Sequence, residues 1–499
     1  MWLPRNERRT AAPQALAPPG ADGARRRGGG VSARRIVALV LPALALAACS
    51  LVPEYQRPPL AVADRFPTST PDAAAGPAAA DLDWRQVFTD ARQQRLIELA
   101  LQNNRDLRLA ALNVEQAQAR WQIQHASLWP TVNAGVIGNR QALPNGASLT
   151  TYSAGFLITA YELDFFGRLR ALSDSAQAQA VSAEDGRRAT QIALVAAVAA
   201  VHLSLLADDD LMKLTRQTLD TRIESLRLSQ LRFDNGAASE LDLRVAQSVV
   251  SSARAALAQV QRVRSFDENL LVLLVGAPLP ADLPSGAASL AEMPAFPTLP
   301  VGLPASVLQR RPDILAAEQQ LVAANFNIGA ARAVYFPTVS ITASAGSVAG
   351  EFSGLFKGGS WGWGAAPQAL LTLFDSGRNK ATNRLADANR DAALAQYDKA
   401  VQTAFREVSD ALAGRDTLSE EALQLELTVQ AESARNRLVD LRYRNGVASS
   451  LDLLDSQRSL FATQQLALQS RLARAQNQVT LYKVLGGGWI ETTTTSKAP

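Results

Sequence analysis

The chain carries an internal duplication, and any fold proposed for it has to repeat. The stretch "LRFDNGAASELDL" at 231 to 243 returns as "LRYRNGVASSLDL" at 441 to 453, with nine of thirteen positions identical and a displacement of 210 residues. "YELDFFGR" (161 to 168) and "LTLFDSGR" (371 to 378) keep that displacement, while "WPTV" (129 to 132) and "FPTV" (336 to 339) are 207 apart. Solenoids repeat at much shorter periods, so this offset indicates two copies of one large structural unit.

Each copy contains a helical segment that is too long for a compact domain. Residues 168 to 232 contain no Pro and one Gly, and their apolar positions recur at steps of three, four or seven. At about 1.5 Å per residue such a helix runs roughly 98 Å. Residues 378 to 444 match it in length to within two residues. Two very long helices are therefore expected.

Each long helix is expected to end at a tight tip and turn back. Asn235-Gly236 and Asn445-Gly446 tolerate the left-handed conformation that ends helices. A Ser followed three residues later by an Asp then resembles a capping box that starts another helix, and this occurs at Ser239/Asp242 and Ser449/Asp452. The returning helices are predicted over 239 to 275 and 449 to 485.

Alternating segments lie between the first helical stretches (about 91 to 126, and 312 to 334) and the long helices. Apolar and polar or small residues alternate in "TVNAGVIGN", "YSAGFLITA" and "PTVSITASAG", and a less regular fourth segment spans Trp361 to Leu373. One interpretation is two hairpins lying on a soluble core. If the strands span a membrane, their sheet must close, and single-chain barrels start at about eight strands. Four strands cannot close alone, so chains must pool them, and three chains would give twelve.

The front of the chain reads as a targeting segment. The whole chain has a net charge of +4 and a pI of about 9.3. Removing the residues before Cys49 leaves 42 of the 50 basic and 44 of the 46 acidic residues, a net charge of −2, so no basic surface for nucleic acid is predicted. Arg34 and Arg35 precede an apolar run from Ile36 to Ala48 that is too short for a transmembrane helix. We interpret 1–48 as a signal peptide, with a hypothetical true start near Val31.

The lone cysteine ends that signal. "LAAC" at 46 to 49 resembles the bacterial lipobox, in which the thiol is alkylated by diacylglycerol. The alternative is a small buried residue without a role. We predict lipidation of Cys49, carrying diacylglycerol and an N-acyl chain, and no other cofactor. The Pro- and Ala-rich residues from Pro53 to Ala80 are predicted to form an extended tether.

These motifs together resemble one family. "YELDFFGR", "RPD" (311 to 313) followed by "FPTV", the paired Asn-Gly tips, and the lipobox followed by "PEYQRP" (53 to 58) are similar to the outer-membrane factors of tripartite efflux systems. These form the TolC-like superfamily, and the similarity is to its OprM/NodT-like lipoprotein branch, which serves resistance-nodulation-division pumps. It covers about residues 49 to 490.

The resemblance implies a fold and a set of partners. The fold is mostly α with membrane β: four strands per chain in a trimeric twelve-stranded β-barrel, a long periplasmic α-helical barrel, and an equatorial region. The partners are two further copies of the chain, outer-membrane lipid, a periplasmic adaptor and an inner-membrane transporter. The divisions are the signal (1–48), anchor and tether (49–90), first repeat (91–276), equatorial linker (277–310), second repeat (311–488) and a disordered polar tail (489–499).

The resemblance also assigns roles to residues at the tips. Gly236 and Gly446 match the positions that the adaptor's hairpin meets, although both also serve as helix-ending glycines. A periplasmic gate is implied just past the second tip by Tyr443, Leu451, Asp452, Asp455 and Arg458, with Asp242 at the equivalent place in the first half. Three copies of Asp455 would form an acidic ring that repels itself unless it is paired with Arg. Without the family, these charges form an ordinary solvated helix end.

Other classes of function find less support. His125 and His202 are the only histidines, and no carboxylate or thiol cluster has metal-ligand spacing, so an enzyme is not predicted. "DDD" at 208 to 210 is interpreted as a solvated helix face rather than a cation site. The apolar run Ile192 to Ala207 is interpreted as packing between helices rather than a membrane span. The predicted function is a gated exit duct for small molecules; a channel for type I protein secretion and a lipid-anchored scaffold without a pore remain alternatives.

Overall fold

The computed structural model describes residues 50–67, 79–144, 146–297 and 305–489. The signal segment, Cys49 and all but the first residue of the predicted tail lie outside them. The helices are α1 (Trp84–Val87), α2 (Ala91–Asn103), α3 (Arg105–Ala126), α4 (Arg168–Asp234), α5 (Glu240–Val275), α6 (Pro312–Ala333), α7 (Arg378–Arg444) and α8 (Ser450–Val484). The strands are β1 (Val132–Ala142), β2 (Ser148–Leu163), β3 (Thr338–Ala349) and β4 (Trp361–Leu370). Helices α4 and α7 have 67 residues each, about 100 Å at ~1.5 Å per residue.

The four strands form one antiparallel sheet in the order β1-β2-β3-β4. Strand β4 ends at Leu370, three residues before the expected end, because its partner β3 begins at Thr338, which pairs with Leu370. Strands β1 and β4 are both edge strands, so this sheet has two unpaired edges. Open edges are a liability in water and are not tolerated in lipid.

The register gives the sheet an apolar face and a polar face. The apolar face carries exposed side chains that pair across neighbouring strands, including Val132, Val136, Phe156, Trp361 and Trp363. The opposite, polar face carries Asn133, Asn139, Ser153, Ser340, Ser344 and Gln368. An apolar face with no described partner is typical of a sheet that meets lipid. A bulge between Ile158 and Tyr161 contains Ala160 at φ 50° and shifts the alternation by one residue.

Glycines cross the sheet in a row. Gly135 pairs with Gly155, which pairs with Gly346, which pairs with Gly362. A Cβ on Gly155 would lie 2.3 Å from the Ala345 carbonyl oxygen, and one on Gly346 would lie 2.2 Å from that of Ala154. Strands β2 and β3 therefore approach too closely for any side chain at these positions, as expected where a sheet turns a corner.

The largest hydrophobic core lies around the middle of the long helices. It contains Val195, Val198 and Leu203 of α4 and Tyr397, Val401 and Val408 of α7. It also contains residues from the N-terminal segment, the mid-chain linker and the C-terminal end, namely Trp84, Phe88, Leu290, Leu308 and Tyr482. We call this cluster the equatorial core.

One helix in the described part, α4, is long and apolar enough to cross a membrane, and 56% of its apolar window is buried, so the packing interpretation of Ile192 to Ala207 holds.

The predicted tether is extended but is not free. Residues 50–57, which we call the strap, run antiparallel along α6: the Pro53 carbonyl accepts a hydrogen bond from Asn325 Nδ2 (2.8 Å), and Arg57 forms an ion pair with Glu318. A Cβ on Gly329 would lie 2.4 Å from Val52 Cγ2, so this glycine admits the strap. Further along, residues 84–87 form helix α1, whose Trp84 is fully buried. Of the predicted tether, residues 50–57 therefore run along α6, and residues 68–78 lie outside the described ranges.

Two further expectations need correction. The helix expected over 91 to 126 breaks at Asn104, whose side chain caps α3 by accepting from the Leu107 N–H (2.9 Å) and donates to the Leu274 carbonyl (2.8 Å). The "DDD" stretch is not a solvated face. Asp208 is 9% exposed, Asp209 pairs with Arg264, and Asp210 accepts a hydrogen bond from the Leu290 N–H of the linker.

Candidate functional site: the periplasmic helix tips

The two long helices end in the same way. Asn235 Nδ2 donates to the Leu231 carbonyl (2.7 Å), and Gly236, at φ 71°, donates its N–H to the Phe233 carbonyl. Asn445 and Gly446, at φ 74°, repeat both contacts in the second hairpin. A Cβ on either glycine would meet no atom within 4 Å. The positive φ is a sufficient reason for glycine at both positions within this chain. The space next to each glycine is open to a partner.

Both returning helices begin with the predicted capping boxes. Ser239 Oγ accepts from the Asp242 N–H (3.2 Å), and the Asp242 carboxylate accepts from the Ser239 N–H (3.2 Å). Ser449 and Asp452 make the equivalent bonds at 3.1 and 3.0 Å. These bonds lower the pKa of both carboxyl groups. Asp452 is therefore held at the start of α8, which limits how far it can reach into a channel.

Asp242 also joins the two hairpins. Its Oδ1 accepts a hydrogen bond from Ser450 Oγ (2.9 Å), 208 residues away in the chain. A second contact between the hairpins lies at the ends of the long helices, where the Arg232 guanidinium stands 4.7 Å from the centre of the Tyr443 ring. Tyr443 is 9% exposed. Both contacts hold the tip of one hairpin against the tip of the other.

The acidic residue assigned to the gate is already paired with two cations. Asp455 Oδ2 accepts from Arg435 (2.9 Å), and its Oδ1 accepts from Arg458 (2.8 Å) on the next turn of α8. These hydrogen bonds, that of Arg435 first, lower the pKa of Asp455. Arg435 also contacts Glu432 (3.1 Å). The cluster is neutral as a whole, so several copies can approach one another without the repulsion expected of bare carboxylates.

The gate residues border a groove between the two hairpins. It has a volume of about 410 Å³ and is lined by Arg222, Val245, Leu451, Asp455 and Arg458, among others. Leu451 is 72% exposed beside it. Within this chain Arg458 binds Asp455 of its own helix, Arg232 contacts Tyr443 of the other hairpin, and Arg435 joins α7 to α8 through Asp455.

Sequence reasoning missed Arg435, although an indication was present. In an antiparallel hairpin, residues at equal distances from the tip face each other, and Arg435 and Asp455 lie ten residues before and after Asn445. Asn436 and Ser456, nine residues before and eleven after Asn445, follow the rule to within one residue on each side, with Ser456 Oγ 3.0 Å from Asn436 Oδ1. Counting outward from the tip would have found the pair.

The remaining candidates lie elsewhere or show no site. Cys49 is outside the described residues. His125 Nδ1 lies 3.2 Å from Ser173 Oγ, and His202 lies 3.6 Å from Asp90. Within the described ranges, no group of three or more His, Cys, Asp or Glu residues is arranged to hold a metal ion.

Comparison with known proteins gives one family over both repeats. The family model described as "Outer membrane efflux protein" matches residues 96–277 and 303–487. The chain is 44% identical over 474 residues to the toluene efflux pump outer membrane protein TtgC of Pseudomonas putida, covering 92% of this chain and 97% of that protein. It is 40% identical over 463 residues to the outer membrane protein OprJ of Pseudomonas aeruginosa, covering 91% and 96%.

Solved structures agree with this assignment. The open state of the MtrE outer membrane channel of Neisseria gonorrhoeae matches with a TM-score of 0.81 and 37% identity, covering 88% of this chain and 99% of that one. A crystal structure of a membrane protein from Pseudomonas aeruginosa matches with a TM-score of 0.81 and 39% identity, covering 88% and 100%. The predicted resemblance is confirmed: the chain belongs to the outer membrane efflux protein family, lies in the outer membrane and is the outer-membrane channel of an efflux pump.

Proposed function

We propose that three copies of this chain form the channel, with a twelve-stranded barrel in the membrane and a helical barrel below it. The observation that carries the proposal is a four-stranded sheet with an unpaired strand at each edge and an exposed apolar face. Two copies would give eight strands, a barrel whose interior is just wide enough for side chains. Three is the smallest number of copies that leaves a lumen. The channel has no catalytic role.

The tips form the gate of this duct. The neutral cluster of Asp455, Glu432, Arg435 and Arg458 can pack closely around a symmetry axis, and exposed Leu451 narrows the opening beside it. Opening is a population shift in which partners favour a dilated arrangement of the tips.

Planar-bilayer recordings of Asp455→Ala, and of Tyr443→Phe with Arg458→Ser, should show raised single-channel conductance. Asp234→Ala, which removes an exposed acid from the first tip, is the matched control. Conductance equal to that of the unaltered protein would remove the gate assignment.

The partners are a periplasmic adaptor and an inner-membrane transporter of the resistance-nodulation-division class. The relative TtgC is described as the outer membrane protein of a toluene efflux pump, which favours this assignment over protein secretion and over a scaffold without a pore. The open space above Gly236 and Gly446 provides the surface for the adaptor's hairpin.

Asparagine distinguishes the two roles of the tip glycines, because it tolerates the left-handed conformation yet adds a side chain. Gly236→Asn with Gly446→Asn should fold and conduct but lose crosslinking to the adaptor in intact cells. Gly167→Asn is the matched control: its φ is 73°, its surroundings are equally open, and it begins α4 far from the tips. If the double variant crosslinks as well as this control, the glycines act only as helix ends.

The channel is also held by a lipid on Cys49. The course of the strap supports this, because Val52 packs on Gly329 near the end of α6, from which the chain enters β3. Mass spectrometry of the mature N-terminus should find diacylglycerol and an N-acyl chain there. An unmodified thiol at Cys49 would exclude the anchor.

A further inference from the structure

One turn at the far end of the sheet folds back instead of extending outward. The strands join the helices at one end, so the β1–β2 and β3–β4 connections lie at the other, which faces the cell exterior in an outer-membrane channel. The β3–β4 connection contains a 3₁₀ turn, Phe352–Phe356. Ser360 Oγ fixes this turn by donating to the carbonyls of Lys357 (2.9 Å) and Leu355 (3.3 Å).

The turn lies against the apolar face. The Phe352 ring packs edge-on against Tyr152 at 5.8 Å, and Phe356 packs against Phe352 at 6.2 Å. A Cβ on Gly354 would lie 2.8 Å from the Cβ of Ala349, which pairs with Tyr152. The outer sides of the rings remain uncovered, since Phe352 is 56% and Phe356 82% exposed. The result is an aromatic ledge at the outer rim of the surface that meets lipid.

Two cations lie at the same rim. Arg140 and Lys357 are the only basic residues in the segments 132–163 and 338–370. Arg140 pairs with Thr150, two residues from Tyr152, and so belongs to the apolar face; its guanidinium donates to Ser148 Oγ at 3.2 Å. Lys357 directly follows the aromatic turn and is exposed. A cation on the lipid-facing side costs free energy at mid-membrane but little at the interface.

We propose that Arg140, Lys357 and the aromatic ledge form a binding site for a phosphorylated glycolipid of the outer leaflet. The lipid phosphate accepts hydrogen bonds from the two cations, and the upper acyl chains lie against Phe352 and Phe356. Aromatic rings favour the level of the headgroups, and a guanidinium matches phosphate geometry. The occupant is a lipid rather than a free anion because Arg140 lies on the apolar face that bears Tyr152, and Lys357 directly follows the turn that carries the rings. The inference rests on the outer-membrane location and is independent of the proposed gate.

The test is a titration of the purified full-length protein in mild detergent with bis-phosphorylated lipid A, with bound lipid counted by native mass spectrometry. Arg140→Ser with Lys357→Ser should lower the affinity by on the order of tenfold or more, because hydrogen bonds to charged groups are lost. Lys380→Ser with Arg384→Ser removes the same charge from an exposed part of α7 and should change nothing. Phe352→Ser with Phe356→Ser should weaken lipid binding although this variant retains both cations.

Correct folding of the variants is checked in the same preparations. Arg140→Lys with Lys357→Arg keeps both charges and should bind lipid nearly as well as the unaltered protein, and heat-modified migration on gels verifies the barrel. Unchanged affinity in the double serine variant would overturn the site, as would an equal loss in the α7 control. Complete displacement of lipid by millimolar inorganic phosphate would show a site for free anions and would equally overturn the proposal.

Discussion

The buried carboxyl group of Asp208, beside the half-buried Asp267, should make the stability of the helical region depend on pH. Asp208 of α4 is 9% exposed, and its Oδ2 has no hydrogen-bond partner within the described ranges. Burial is the largest cause that raises its pKa, followed by the charges of Asp267 and Asp209, while Arg264 opposes them; the pKa rises from 3.8 to about 6. Protonated Asp208 can donate to the Asp267 carboxylate, whereas ionised Asp208 faces a like charge.

The direction and size of this pH dependence follow from the difference in the pKa of Asp208 between the folded and unfolded states. The pKa is higher in the folded state, so folding takes up a proton and the free energy of unfolding is largest in acid. That contribution is lost as the pH rises from about 4 to about 6, and about two pKa units correspond to about 3 kcal/mol as an upper limit. Asp90, whose pKa is about 2, titrates below this window: burial raises its pKa, and hydrogen bonds from His202, Gln93 and Ala287 outweigh it. Burial also raises the pKa of Asp174 and of Asp185, so the contribution of Asp208 is the part of the loss that disappears in a variant at this position.

Asp208→Asn tests this reasoning, because the amide has the same shape and can donate to Asp267 at every pH. Thermal unfolding in detergent, followed by far-UV circular dichroism, should show the unaltered protein losing about 3 °C between pH 4 and 7, from ~2.1 cal/mol/K per residue. The variant should lack this loss. Asp220→Asn, which removes an exposed acid from the same helix, should keep it. Parallel pH curves for Asp208→Asn and the unaltered protein would refute the assignment.

Three further changes test other parts of the structure. Glu318→Gln removes the charge that holds the strap and should speed chymotryptic cleavage after Tyr55 by about tenfold; an unchanged rate would contradict the docking. Gly155→Val should abolish the heat-modified gel form, since a Cβ has no space there. Gly135→Val, in the same glycine row, meets no atom and should keep that form. Equal behaviour of the two variants would contradict the close approach of β2 and β3 at a corner of the sheet. Ser450→Ala breaks a hydrogen bond between the hairpins in each of three copies and should raise channel open probability roughly ten- to a hundredfold, for ~0.5–1 kcal/mol per copy; unchanged gating would show that the bond does not restrain the tips.

Features set by neighbouring residues could be predicted from the sequence. The tip at Asn235-Gly236 and the capping box at Ser239/Asp242 depend on side chains within about four positions, and the structure contains both. The faces of the strands follow from alternation, and the long helices follow from the absence of Pro. Membership of the family needed only the order of such local motifs.

Features set by distant residues could not be predicted. The three aspartates at 208 to 210 look like a solvated face because nothing nearby in sequence indicates that Asp267 and the linker will pack over them. The strap runs along α6 because Glu318 and Gly329 receive it, more than 250 residues away. Local patterns contain no information about such contacts. The Arg435–Asp455 pair was accessible only through the geometry of the whole hairpin.

The two repeats share a fold but not a function at their tips. At the displacement of 210 residues, the charged residues Arg435, Asp455 and Arg458 correspond to the uncharged Ser225, Val245 and Ser248. The charge cluster therefore belongs to the second hairpin alone, and the first hairpin restrains it through the contacts Asp242–Ser450 and Arg232–Tyr443.

The contacts between the two hairpins set the free energy that opening of the proposed gate must overcome. Two exposed contacts at about 0.5–1 kcal/mol each, in three copies, sum to about 3–6 kcal/mol. A shift from 1:99 to 99:1 requires a differential affinity of about 5.5 kcal/mol. In the proposed trimer this restraint would be strong enough to keep an unengaged channel closed, and weak enough for the proposed adaptor, bound at three pairs of tips, to open it.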